Sequence, residues 1–300
     1  MNLPLGEKLN SAKGGFAYSV AVVAYFGVAI IISIIIQFGA IGGDAAIYLN
    51  YLASPIGIVL ALAFFFTQAK VRFNEVYTFK CSPKYYILAI MLIYGLMFSL
   101  SQVNYYLIEF AKLFGYTQKI TSSSLPDLNG ANIILAVFVI AVLPAIFEEA
   151  LFRGAILKNA QSTVGTYRAV LLVGFVFSLY HGSVEQTIYQ FICGCVFALL
   201  AARSGSLLPS VLMHFLNNGV ILVLAAANCY DDAGNLLISD GGNIAIMVTS
   251  AICLIAAVVY LILDRKNTVK CQKGAVKSFF LWGSVGIALM AIIWIAGLFV

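Results

Sequence analysis

ANIILAVFVIAVLPAIFEEALF, residues 131–152, is an apolar run long enough to cross a bilayer, and it ends in two adjacent acids, Glu148 and Glu149. About 20 apolar residues in a helix, at 1.5 Å each, span the hydrocarbon core. An ionisable side chain in that environment costs about 3 kcal/mol on insertion scales, so it usually marks function. The chain has two histidines, His181 and His214, and both lie within further apolar runs. Four such groups on three segments, in a chain with 12 acidic residues, point to one shared polar site.

Working outward, nine apolar segments follow one another: 16–40, 47–68, 85–108, 131–152, 169–184, 186–202, 207–228, 243–263 and 278–299. The chain is 62% hydrophobic and 10% charged, far from the even mix of a soluble domain. The fold expected is all-α, a polytopic membrane helical bundle of eight or nine transmembrane helices. It forms a single integral membrane domain over residues 1–300, with a catalytic core at 131–228. The fifth and sixth segments share only 34 residues, Ala169 to Ala202, with a turn at Gly182 and Ser183. Two crossings need about 17 residues each, so these helices are short or tilted.

The loops fix an orientation. With the N-terminus in the cytoplasm, 15 of 17 basic residues fall on that side, from Lys8 and Lys13 through Lys70, Arg72, Arg153, Lys158, Arg168 and Arg203 to Lys277. The opposite side holds Lys112 and Lys119, with Asp44, Glu109, Asp127, Asp231, Asp232 and Asp240. The net charge of +5 is spread over short loops rather than one face, which excludes a nucleic-acid partner. With no leader or organelle signal read at the N-terminus, a bacterial plasma membrane is the expected location. The six cysteines include no CxxC or zinc-finger spacing, so neither a disulfide framework nor a cysteine-ligated metal is expected.

Three constellations carry chemistry. In EEALFRG, Glu149 and Arg153 are four residues apart on one helix face and are placed to pair, with Arg153 reaching towards the cytoplasmic interface. Glu148, rotated by about 100°, is the less neutralised carboxylate and the candidate general base. In FSLYH, Phe177 can pack beneath the imidazole of His181, with Tyr180 and Tyr189 as nearby hydroxyl donors. In HFLNN, His214 and Asn218 share a face while Asn217 points elsewhere; the amide can orient the imidazole or hold an oxyanion. Counted from the basic side, His214 and Glu148 lie about 10 Å inside and His181 almost 20 Å, a mismatch that calls for a tilted or longer fifth helix. The site expected is one water-filled cavity shared by Glu148, His181 and His214. It opens towards the cytoplasmic half, with lateral access between helices.

EExxxR, FxxxH and HxxxN, in that order on successive apolar segments, resemble the CPBP intramembrane protease family. That family takes in type II CAAX prenyl endopeptidases and bacteriocin-processing or Abi-like, immunity-associated proteins. The likeness covers residues 131–228, and GSLLPSVLMHFLNN (205–218) resembles the family's approach to its last motif. The resemblance implies that Glu148 activates water and that Glu149, Arg153, His181, His214 and Asn218 complete the catalytic set. HExxH and GxGD are absent from the sequence, and Ser204 and Ser206 flank Gly205 in a turn, so zinc site-2, aspartyl and serine intramembrane chemistries fit poorly.

The function expected is endopeptidase cleavage of a membrane-associated protein or peptide by a Glu/His-activated water, in contact with the lipid bilayer and without a cofactor. The alternatives are a zinc-dependent version of the same reaction through Glu148, His181 and His214, and a non-catalytic membrane immunity or scaffold protein. A proton-coupled transporter would also use buried Glu and His, but no inverted repeat or pair of interrupted helices supports it.

Overall fold

The computed structural model describes residues 9–113, 125–229 and 237–298. Lys8, Lys119, Asp231 and Asp232, used above to orient the chain, lie outside the described residues. Each of the nine apolar segments forms a helix, and the described residues contain no strand. The helices are α1 (Ser11–Phe38), α2 (Gly43–Ala69), the single turn α3 (Phe73–Val76), α4, α5 (Asn132–Val164), α6 (Thr166–Tyr180), α7 (Thr187–Ser204), α8 (Leu208–Ala226), α9 (Asp240–Asp264) and α10 (Ala275–Ala296). Helix α4 runs from Lys84–Gly95 through a π turn at Leu96–Leu100 into Ser101–Lys112. Among the described residues eight helices are long and apolar enough to cross a membrane. The exception is α6, whose 15 residues rise about 22 Å.

The chain is a membrane protein, and its helices follow from that solvent. In hydrocarbon every backbone N–H and C=O must be satisfied within its own segment. Large apolar side chains point outward on most helices, among them Ile30, Ile134, Leu171, Ile255 and Leu281. Water would penalise that belt, whereas lipid tails solvate it. Polar starts and stops mark the helix ends. Asn10 accepts from the Lys13 amide at 3.1 Å to open α1, and Gly205 closes α7 in the left-handed conformation.

The 34-residue stretch resolves into a tight hairpin. Helix α6 begins at Thr166, three residues before the apolar run, and the turn after Tyr180 passes through Gly182 at φ +61°. Packing is closest where Gly174 meets Gly194: a Cβ added to Gly194 would lie 2.9 Å from the Gly174 Cα. Removing both side chains lets the backbones touch, as small residues do in membrane helix pairs. That contact sets the spacing between the helix carrying His181 and the backbone that receives Arg153.

The ends carrying the basic loops are knitted together. Ser11 N donates to Thr163 Oγ1 at 3.0 Å, Ser11 Oγ to Ala275 O at 2.7 Å, and Leu207 N to Thr78 O at 2.9 Å. Arg203 is fully buried and donates to Leu261 O, Lys266 O, Thr268 Oγ1 and Tyr167 Oη. Arg153 departs from the expectation that it reaches the interface. It is 1% exposed in the middle of α5, held there by Glu149 and by aromatic rings, so it belongs to the site and not to a basic loop.

Candidate active site

Helix α5 carries the two acids, and it is not a uniform helix. The α-helical segment Leu143–Glu149 sits between π-helical segments Val137–Val142 and Ala150–Ile156. Such segments are rare and concentrate at functional sites. Each has a side chain to receive it. Pro144 lacks an N–H and cannot donate to the carbonyl four residues back, that of Ile140. Asn218 of α8 fills that gap, donating from Nδ2 to Ile140 O at 2.9 Å. At the other π segment Tyr77 donates to Ala150 O at 3.1 Å. The acids are therefore displayed on a distorted helix whose loosened carbonyls are satisfied from neighbouring elements.

Glu149 is fully buried. Its Oε1 accepts from Arg153 Nη1 at 2.8 Å and pairs with His214 Nδ1 at 2.9 Å. The expected i,i+4 pair forms even though the residues between its ends are π-helical. Arg153 packs its guanidinium 4.4 Å from the Phe177 ring centre and 5.0 Å from that of Phe197, and Nη2 donates to Gly194 O at 3.3 Å. Aromatic faces and a carboxylate stand in for the water that this cation has lost.

Beside an arginine, the ionised carboxylate of Glu149 can only accept, so the proton of His214 sits on Nδ1. That leaves Nε2 available to the cavity. His181 has the same arrangement: its Nδ1 lies 2.8 Å from Phe177 O, a carbonyl that accepts, and Nε2 is again left over. The Phe177 ring lies 4.7 Å from the His181 ring and 6.4 Å from the His214 ring. One aromatic side chain thus spaces the two histidines, and it bridges the difference in depth that the residue count gives.

Glu148 makes fewer contacts. Its Oε1 accepts from Ser54 Oγ at 3.4 Å, and Oε2 is buried without a protein partner. Ser54 also lies 3.3 Å from the Tyr180 hydroxyl. Sequence reasoning missed Ser54, which sits on α2 outside every motif; the signal available was a serine next to Pro55 in the middle of a mostly apolar helix. Asn217 was expected to face elsewhere. It instead donates to Asn218 Oδ1 at 3.0 Å and accepts from Tyr189 at 3.3 Å. The sequence leaves Asn218 either to orient His214 or to hold an oxyanion; in the structure Glu149 contacts His214 Nδ1, and Asn218 is engaged by Ile140 and Asn217.

Glu148, His181, His214 and Asn218 all line one cavity of about 1050 Å³. Its floor is formed by Phe197 and His214, nearest the basic loops. From there it widens past Ser54 and Ile140 towards Asn50, Asn104, Leu125 and Asn243, at the other end of the bundle. The sequence leads us to expect an opening towards the basic half; among the described residues no lining residue comes from the basic loops. Among the described residues no three His, Cys, Asp or Glu side chains are grouped as metal ligands.

Comparison with known proteins bears on the same stretch. Residues 130–220 match the model of the Rce1-like family, described as type II CAAX prenyl endopeptidase Rce1-like, a family of proteases. No curated protein and no solved structure matches the chain. The match spans the helices that supply both acids, both histidines and Asn218, and it supports the likeness of this core to the CPBP intramembrane proteases.

Proposed function

We propose that the chain is an intramembrane endopeptidase in which Glu148 activates a water molecule against a peptide carbonyl. One observation carries this reading. Glu148 has a buried oxygen without a protein partner, in a cavity that it shares with two histidines whose Nε2 atoms are uncommitted. Water bound there can lose a proton to Glu148 as its oxygen adds to the carbonyl carbon. The proton then passes to the amine as the C–N bond breaks. His214, when protonated at Nε2 from bulk water, can hydrogen-bond to the developing oxyanion and keep that proton as the intermediate collapses, with Glu149 stabilising the imidazolium across Nδ1. The second N–H of the Asn218 amide is a further donor. Glu149 and Arg153 act by positioning His214, and no step runs through a metal.

The test is cleavage of peptides by purified protein. Glu148→Gln should lower turnover by about 10²–10⁴-fold, the usual contribution of a general base, while the protein remains folded and inserted. Near-normal turnover in that variant would remove Glu148 from the role. Activity lost on chelation and restored stoichiometrically by zinc would replace this mechanism with the metal-dependent one.

A further inference from the structure

We infer that Asn217, itself held by Tyr189, is a positioning residue that sets which way the Asn218 amide faces in the cavity. This inference rests on the peptidase reading and adds two residues that act through Asn218. Neither occupies a fixed position of EExxxR, FxxxH or HxxxN.

A run of hydrogen bonds crosses three helices beside the acids. Tyr189 Oη on α7 donates to Asn217 Oδ1 on α8 at 3.3 Å, and Asn217 Nδ2 donates to Asn218 Oδ1 at 3.0 Å. Asn218 Nδ2 then donates to Ile140 O on α5 at 2.9 Å. Tyr189, Asn217 and Asn218 line the same cavity as Glu148 and His214. The run has one sense. Its last acceptor is the carbonyl that Pro144 leaves without its usual donor, so Asn218 brings a nitrogen to it. Its first donor is a phenol, which engages the Asn217 oxygen and leaves the Asn217 nitrogen to face Asn218.

An amide turned end for end keeps its shape but exchanges donor for acceptor. Turned over, Asn218 would set Oδ1 against Ile140 O, two acceptors, and Nδ2 against Asn217 Nδ2, two donors. Both bonds would be lost. As it stands, Asn218 gives one N–H to Ile140 O and keeps a second, on a residue about one helical turn from His214. That second N–H is the further oxyanion donor of the proposed reaction. Ile140 O anchors only the nitrogen of the amide, and Asn217 anchors its oxygen from the opposite side. A donor aimed before the reaction begins needs no reorganisation in the transition state, so its benefit falls on kcat and not on substrate binding.

The experiment is steady-state kinetics of the purified full chain in detergent, at about pH 8, where a carboxylate is ionised. The probe is an internally quenched peptide, taken from a set with free, amidated and lipid-modified C-termini. It is the one that the parent cleaves fastest and Glu148→Gln does not cleave. Asn217→Asp keeps the size of the side chain, but its carboxylate can only accept, so it would draw the Asn218 nitrogen to itself and turn the amide over. Its kcat should fall about 100-fold, the usual loss for one oxyanion donor, with KM within about twofold of the parent. Asn217→Ala removes the anchor without reversing it, and Tyr189→Phe removes only the hydroxyl; their losses in kcat should be about tenfold and about threefold. The deciding background is Asn218→Ala, where the aimed N–H is already gone. There Asn217→Asp and Tyr189→Phe should each cost no further kcat. Should Asn217→Asp not fold, as read from its thermal unfolding, Tyr189→Phe carries the same test with the loss of a single oxygen. Losses that multiply in the Asn218→Ala background, a change confined to KM, or an Asn217→Asp no slower than Asn217→Ala would overturn the inference and leave the peptidase reading standing. If the parent cleaves no peptide of the set in a Glu148-dependent manner, the peptidase reading fails, and this inference with it.

Discussion

The two ends of this bundle are built differently. At the basic end, side chains and backbone reach across the sequence to tie loops together: Ser11 to Thr163 and Ala275, Arg203 to Leu261, Lys266 and Thr268, and the Leu207 amide to Thr78 O. At the opposite end the described contacts include Asp127 N to Asp44 Oδ2 at 3.1 Å, Tyr48 to Asn132 O at 3.5 Å and Trp294 Nε1 to Thr187 Oγ1 at 2.7 Å. The acids and histidines sit between these ends, with the closed end behind them and the cavity in front. The contrast shows how a membrane bundle hosts polar chemistry. One end is tied tightly enough to hold buried charges in register, and the cavity beside the acids has room for water and a substrate segment.

The most severe way to break that arrangement is at Arg153, where the scaffold meets the site. Replacing it by Met keeps much of the volume but leaves Glu149 buried with His214 alone. Stranding one member of a buried ion pair costs about 3–5 kcal/mol, so Arg153→Met should unfold in detergent far more readily than the parent. Adding Glu149→Gln removes the orphaned charge, and the double variant should recover part of the loss. Unchanged thermal stability in Arg153→Met would show that the aromatic packing alone holds the core.

A smaller effect sharpens the contrast from the other side. Arg203→Ala removes donors from the carbonyls of Leu261 and Lys266 at the closed end, well away from the cavity. Leaving such buried acceptors unsatisfied costs about 1–3 kcal/mol, measurable as a lower unfolding temperature. The kcat/KM of the folded fraction should not change, because nothing that Arg203 touches lines the cavity. A fall in kcat/KM alongside stability would mean that the two ends are coupled, and that the closed end is more than a support.

The helices were legible because hydrocarbon enforces them. A long apolar run has no other way to satisfy its backbone, and all nine runs became helices. The Glu149–Arg153 pair was legible from its spacing, and the packing of Phe177 on His181 from theirs. What could not be read was set by contacts between segments. The sequence offers Asn218 its helix neighbour His214 or an oxyanion, but not its bond to Ile140 O, a carbonyl that Pro144 on a different helix leaves without its usual donor. Arg153 was counted among the loop charges because residue type alone does not reveal the Phe177 and Phe197 faces that hold it. The direction of the cavity depends on where helices end relative to one another, and a count at 1.5 Å per residue carries no information on tilt.

The finest test concerns Ser54, the hydroxyl on α2 that the motifs do not contain. It donates to Glu148 Oε1 at 3.4 Å and lies 3.3 Å from Tyr180 Oη, so it joins a helix outside the matched region to the candidate base. If this contact only packs α2 against α5, Ser54→Ala should change stability slightly and kinetics not at all. If it aims the carboxylate, the loss should fall on kcat with KM unaltered, because the substrate segment is bound before the carboxylate is called upon. A long hydrogen bond to a charged group is worth about 1 kcal/mol, which corresponds to a loss of about fivefold. Ser54→Thr keeps the hydroxyl and should restore most of that turnover, whereas a methyl without it should not. A change in KM alone, or a Thr variant no better than the Ala one, would assign Ser54 to the wall of the cavity and leave Glu148 to be positioned by its own distorted helix.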